Sequence, residues 1–115
     1  FYDEAVMRNR LVRDIKGIYR TAKKEMCFRP IFERKLARYI QNRAPRGSVN
    51  WQKLRYEFRT ISRKCRDQEL PLKVYLGTMA RLTGFALQGK HKKIEIEVSK
   101  MGKAAGEPIV IIYQD

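Results

Sequence analysis

Residues 71–88, with the sequence PLKVYLGTMARLTGFALQ, decide the fold. Pro71 can open a helix, because the N–H that proline lacks is not needed at the first helical position. Apolar side chains then recur at helical spacing around most of the helix: Leu72, Tyr75, Leu76, Met79, Leu82, Phe85 and Ala86. A helix that is apolar on most of its surface is buried. We therefore predict a core helix that extends to about Gln88.

Three amphipathic helices are predicted upstream, because apolar residues recur there at spacings of three and four. They cover residues 3–27, Pro30 to about Asn42, and about Val49 to Cys65. Ser48 or Asn50 can cap the third of them. The apolar stripes are, in chain order, Met7, Leu11, Ile15, Ile18, Ala22 and Met26; Phe32, Leu36, Tyr39 and Ile40; and Trp51, Leu54, Phe58, Ile61 and Cys65.

Two strands are predicted at the C-terminal end. Residues 94–98 alternate between apolar and charged side chains, whereas residues 109–113 are apolar on both faces, and a turn-rich connection separates them. Two strands alone are marginally stable. We therefore expect one face of this β-hairpin to lie on the helices. The other face or edge would meet a missing segment, a second copy or a neighbouring domain.

The fold class predicted for residues 1–115 is α+β, a single small domain with a bundle of about four helices followed by a β-hairpin. Its parts are an arginine-rich helical part (1–68), the apolar core helix (69–88) and the hairpin (93–115). A length of 115 residues fits one domain, and 43% hydrophobic residues are too many for a disordered tail. Residue 1 is Phe rather than Met, so we expect the chain to belong to a longer protein.

Cysteine usage favours an intracellular, reducing compartment such as cytoplasm, nucleoid or nucleus. The chain has two cysteines, Cys27 and Cys65, each inside a helical pattern, and we predict that both are buried thiols. With no CxxC pair and one histidine, no metal site or cofactor is expected. No apolar run approaches the roughly 18 residues of a transmembrane helix.

Positive charge is concentrated in the first part of the chain. The whole chain has 26 Lys and Arg residues against 12 Asp and Glu, a net charge of +14. Residues 1–68 contain 19 against 7 (+12), and residues 69–115 contain 7 against 5 (+2). Of the 14 arginines, 13 precede residue 69. Because guanidinium groups bind phosphate in a bidentate manner, this bias predicts a phosphate-binding face in residues 1–68.

The third helix carries the strongest signal. Its arginines recur at helical spacing, and six basic residues stand against the single acid Glu57, whereas an ordinary solvated face mixes both signs. The loop before it is basic and leads into a helix N-terminus, which suits phosphate. A second basic row lies on the first helix. The predicted nucleic-acid-binding residues are Arg13, Lys16, Arg20, Lys24, Arg43, Arg46, Ser48, Gln52, Arg55, Tyr56, Arg59, Arg63 and Arg66.

Recognition of the phosphate backbone is favoured over base reading. The Pro/Gly loop between the second and third helices is longer than the turn of about 3–4 residues in a helix-turn-helix. If that motif is nevertheless present, Gln52, Arg55 and Arg59 would read bases in the major groove. A bundle without an aromatic sheet lacks the usual mark of single-stranded RNA readers, which favours DNA slightly.

Other chemistry-bearing residues have simpler interpretations. Among the aromatic residues that invite base stacking (Tyr2, Tyr19, Tyr39, Trp51 and Tyr56), Trp51 begins an apolar stripe, whereas Tyr56 lies beside the arginines. Glu95 and Glu97 fit the polar face of a strand better than an acid–base pair. His91 lies among lysines, without an adjacent acid to orient it, and fits a solvated or phosphate-contacting residue. No catalytic motif occurs, so we do not expect an enzyme unless catalytic residues lie outside this chain.

We therefore expect a nucleic-acid-binding module of a DNA- or RNA-processing protein or ribonucleoprotein. One alternative is a protein-interaction or assembly domain that uses the apolar hairpin, as a homodimer or against a neighbouring domain. Another is a binder of anionic membrane surfaces, since basic amphipathic helices also lie on bilayers.

Overall fold

A computed structural model of the protein describes residues 4–98 and 108–113. Four helices are followed by a two-stranded antiparallel sheet, which confirms the predicted α+β class. The elements are α1 (Glu4–Ala22), α2 (Phe28–Arg43), α3 (Trp51–Asp67), α4 (Leu72–Leu87), β1 (Ile94–Glu97) and β2 (Ile109–Ile112).

Helix α4 is the core helix, as predicted. It packs against α1, α2 and α3, and it buries Tyr75, Met79, Leu82 and Ala86. Two threonines on α4 are also buried, and each hydroxyl donates to the carbonyl four residues earlier at 2.8 Å. Leu72 departs from the prediction, because at the first turn of the helix it is 47% exposed.

Helices α2 and α4 lie between α1 and α3. Both of them contact α1 and α3, and they also contact each other. On the α1 side, Tyr19 packs edge-to-face on Phe32 and Tyr75, with ring centroids 5.4 and 6.5 Å apart. On the α3 side, the Ser62 and Tyr75 hydroxyls form a buried hydrogen bond of 2.7 Å. This order makes α2, like α4, a shared neighbour of the two basic helices α1 and α3.

Helix α1 ends five residues before the predicted boundary at residue 27. The chain turns over residues 23–27, and Cys27 has a left-handed backbone (φ 53°). Met26 lies in this turn and is 91% exposed. At the other end of the helix, Met7 is 47% exposed, so the predicted stripe is buried only between these two residues. The predicted start of this helix at residue 3 lies outside the described residues.

The second helix begins at Phe28 rather than at Pro30. Pro30 is tolerated as the third residue of this helix, because the N–H groups of the first turn have no intrahelical partner. Cys27 is exposed, which contradicts the prediction of two buried thiols, since it lies in the turn instead of on a helix. Cys65 is buried, and burial raises the pKa of its thiol to about 11.

Helix α3 follows the sequence pattern closely. Of the two predicted caps, Asn50 is the one used, and its side chain accepts the N–H of Lys53 at 3.2 Å. Leu54, Phe58, Ile61 and Cys65 of the predicted stripe are buried. The helix continues two residues beyond Cys65, to Asp67.

The hairpin packs through β1 onto α3. Its register pairs Ile94 with Ile112 and Glu97 with Ile109, and Ile94 and Ile96 are buried. On the outer face, Ile109 is 61% exposed. There the Glu95 carboxylate accepts from Lys93 at 3.0 Å and from the Tyr113 hydroxyl at 3.0 Å, and these hydrogen bonds lower its pKa.

His91 is half-buried and makes a structural hydrogen bond, while its predicted contact with solvent or phosphate stays a prediction. Its Nε2 accepts the backbone N–H of Asn50 at 3.0 Å, which ties the segment before β1 to the start of α3. Among the described residues, no helix has both the length and the apolar character to cross a membrane.

Candidate nucleic-acid interface

A groove of about 390 Å³ runs between α2 and α3. Six arginines line it together with one acid, Glu33, so its charged lining has five more positive than negative groups. The lining residues are Arg29, Pro30, Glu33, Arg34, Ala37, Arg55, Arg59, Ser62, Arg63 and Arg66.

Helical spacing places these side chains along the groove. On α2, Arg29, Glu33 and Ala37 are four residues apart and therefore share one face. Glu33 faces Arg59 and Arg63 of α3. Predicted residues Arg55, Arg59, Arg63 and Arg66 all line the groove, on the side of α3 that borders its buried stripe.

Little negative charge neutralises the groove. Burial raises the pKa of Glu33 above its ordinary value, although the Ser62 hydroxyl and the charges of Arg59 and Arg63 oppose the rise. The groove's one carboxylate is therefore held less firmly in its charged form. Within residues 4–98 and 108–113, Arg66 is the only groove arginine with an ion pair, a 2.9 Å contact with Asp67.

The groove residue Arg29 is half-buried and has a buried side-chain donor. Its Nε is buried and has no hydrogen-bond partner among the described residues. Its guanidinium carbon lies 4.6 Å from the centre of the Phe28 ring. A buried donor without a partner costs free energy, so Arg29 is held in this position at some cost to stability.

The predicted loop residues lie away from the groove. The Arg43 guanidinium stacks 3.7 Å above the Tyr39 ring. The Tyr39 hydroxyl donates to Asp14 of α1 at 2.7 Å, and burial, reinforced by that hydrogen bond, raises its pKa to about 12. Arg46 is exposed, and the Ser48 hydroxyl donates to the carbonyl of Pro45 at 2.6 Å. None of these residues lines the groove.

The predicted row on the first helix forms a separate surface. Arg13, Lys16 and Arg20 are exposed on α1, and none of them lines the groove. Lys24 is exposed as well, but it belongs to the turn after α1 and not to the helix. Of the predicted residues, the groove thus holds four, and the others lie on this α1 surface, in the turn after it, in the loop region or elsewhere on α3.

Tyr56 is the exposed aromatic residue of α3. Its side chain is 67% exposed and makes no hydrogen bond or ring contact with the described residues. Gln52, one turn earlier, is also exposed. The other aromatic residues considered for stacking are engaged elsewhere: Tyr19 packs against the core, and the Tyr39 hydroxyl is hydrogen-bonded to Asp14. Trp51 is half-buried against the core, and Tyr2 lies outside the described residues.

Sequence reasoning missed Arg29 and Arg34 of α2. The signal was present, because α2 has five basic residues against the single acid Glu33. Their relevance depends on α2 packing beside α3, which is a non-local contact. In the described part of the chain, no cluster of three or more His, Cys, Asp or Glu residues is arranged to hold a metal ion.

Comparison of the chain with protein-family models, curated proteins and solved structures gives no match.

Proposed function

We propose that this domain binds nucleic acid through the phosphate backbone, with the α2–α3 groove as the main contact surface. The supporting observation is the set of six guanidinium groups that line one groove with a single lining carboxylate, whose pKa is raised; one of the six, Arg66, is also paired with Asp67. Like charges repel one another, so such a cluster is stabilised by an anionic ligand. Nucleic acid supplies a continuous row of phosphates, and their counterions are released on binding.

Backbone contact accounts for the composition of the groove better than base reading does. One guanidinium group can donate two parallel hydrogen bonds to two oxygens of the same phosphate. Residues 44–50 between α2 and α3 form a loop of seven residues, longer than a helix-turn-helix turn. The exposed cations Arg13, Lys16 and Arg20 of α1 form a second, weaker contact surface for a long ligand. The parent protein would process DNA or RNA or belong to a ribonucleoprotein, with DNA slightly favoured.

Charge neutralisation in the groove tests this proposal. Replacing Arg55, Arg59 and Arg63 by glutamine should weaken binding to a labelled oligonucleotide, measured by fluorescence anisotropy. The matched control replaces Lys73, Arg81 and Lys90 by glutamine, because these cations are exposed and lie outside the groove. If both variants lost the same amount of affinity, the loss would come from the lower net charge of the protein and not from the groove. Binding of the wild type to acidic liposomes but not to oligonucleotides would favour the membrane alternative.

A protein-contact role for the hairpin is a second candidate. The outer strand β2 has an IVII sequence, pairs with β1 on one edge only, and has Ile109 61% exposed. Apolar edge strands without charged residues promote pairing with another chain. Replacing Ile109 and Ile111 by threonine should convert a dimer to a monomer in light scattering while the helical circular dichroism is retained. An unchanged mass would exclude β2 as a self-association surface.

A further inference from the structure

We infer that the α2–α3 groove accommodates one strand of nucleic acid rather than a duplex, with a base stacked on Tyr56. This inference rests on the proposed function and specifies its ligand. It depends on the width of the groove, the spacing of its arginines and the position of the exposed aromatic ring.

The groove is narrow because its walls are two helices in direct contact. The axes of packed helices lie about 8–10 Å apart. The major groove of duplex DNA alone is about 12 Å wide, so a whole duplex is broader than the space between these helices. A duplex would therefore touch only the rim, whereas a single backbone can enter.

The arginine row is inclined to the helix axis. Arg55, Arg59 and Arg63 follow one another at intervals of four residues, so each lies about 6 Å further along the axis of α3 and about 40° further around it. A strand in a duplex has a fixed path, because it advances about 3.4 Å along the axis per phosphate and winds around that axis. An extended single strand has a flexible backbone, so it can follow the inclined row of cations.

Tyr56 supplies the stacking surface expected beside such a strand. At about 100° per residue, it lies within about 20° of Arg63 around α3, on the solvent side of the arginine row. Its ring is 67% exposed and makes no ring contact within the described part of the chain. Proteins that bind single strands without base preference combine a positive groove with such an aromatic surface.

The test compares one mixed-sequence 20-nucleotide DNA strand, chosen to avoid self-pairing, with the duplex of the same sequence. We expect the wild-type chain to bind the single strand at least about tenfold more tightly, with a salt slope near −0.7 per phosphate. Tyr56→Ala should weaken single-strand binding about 5- to 100-fold and leave duplex binding unchanged. Tyr56→Phe should retain affinity, because the ring stacks without its hydroxyl.

Tyr113→Ala is the matched control, because Tyr113 is 44% exposed on the hairpin and lies outside the groove. It should leave both affinities unchanged. Duplex binding as tight as single-strand binding would overturn this inference and leave the proposed function standing. So would a Tyr56→Ala variant with unchanged single-strand affinity. Failure to bind either oligonucleotide would overturn the proposed function itself.

Discussion

Neutralising the arginine row of α3 has a predictable effect on the salt dependence of binding. Arg55, Arg59 and Arg63 line the groove and have no ion pair among the described residues, so each is available to a phosphate. Among the described residues, the one side-chain hydrogen bond of these three arginines is that from Arg55 Nε to the Trp51 carbonyl, at 3.3 Å. Exposed substitutions of this kind change stability by no more than about 0.5 kcal/mol each.

The size of the effect follows from the number of phosphates neutralised, because each one releases counterions on binding. Each phosphate neutralised on a single strand contributes about −0.7 to the slope of log affinity against log salt. If each of the three arginines binds one phosphate, the triple glutamine variant has a slope less negative by about 2. At about 0.1 M salt this difference weakens binding about 100-fold, and the two affinities converge as the salt approaches about 1 M.

Anisotropy titrations at several salt concentrations between about 0.05 and 0.4 M measure both slopes. Circular dichroism shows whether the variant keeps its helices. A variant with the wild-type slope would refute the assignment of these arginines to phosphates, even if its affinity were lower. The variant with Lys73, Arg81 and Lys90 replaced should keep a slope close to that of the wild type, since those residues lie outside the groove.

Two further predictions concern the thiols and Glu33. A thiol reagent should modify one cysteine per folded chain, Cys27, because Cys65 is buried and its pKa is raised to about 11; two modified in the folded protein would show that Cys65 is accessible. Burial raises the pKa of Glu33, so the wild type should lose stability as the pH rises from about 4.5 through that pKa, and Glu33→Gln should lose less. Thermal unfolding of both proteins at acidic and neutral pH measures how much stability each one loses. Equal losses of stability in the wild type and in Glu33→Gln would contradict the prediction.

Much of the fold was predictable because helix formation and burial follow a local pattern. The stripe of Leu54, Phe58 and Ile61 has helical spacing, so it predicted both α3 and the face that α3 buries. The same logic was wrong at the end of α1. Met26 continues the spacing of Ala22, yet the chain leaves the helix before it and turns so that α2 packs back on α1.

The amino-acid sequence by itself determined the four helices, the hairpin, the apolar α4 and the row of arginines on α3, because each depends on neighbours within a few turns. Only the tertiary structure decided that Arg29 and Arg34 join that row, while Arg43 stacks on Tyr39 elsewhere. The physical reason is that a groove belongs to two helices at once. Which helix faces α3 follows from the packing of α2 between α1 and α3, and no local spacing contains that contact.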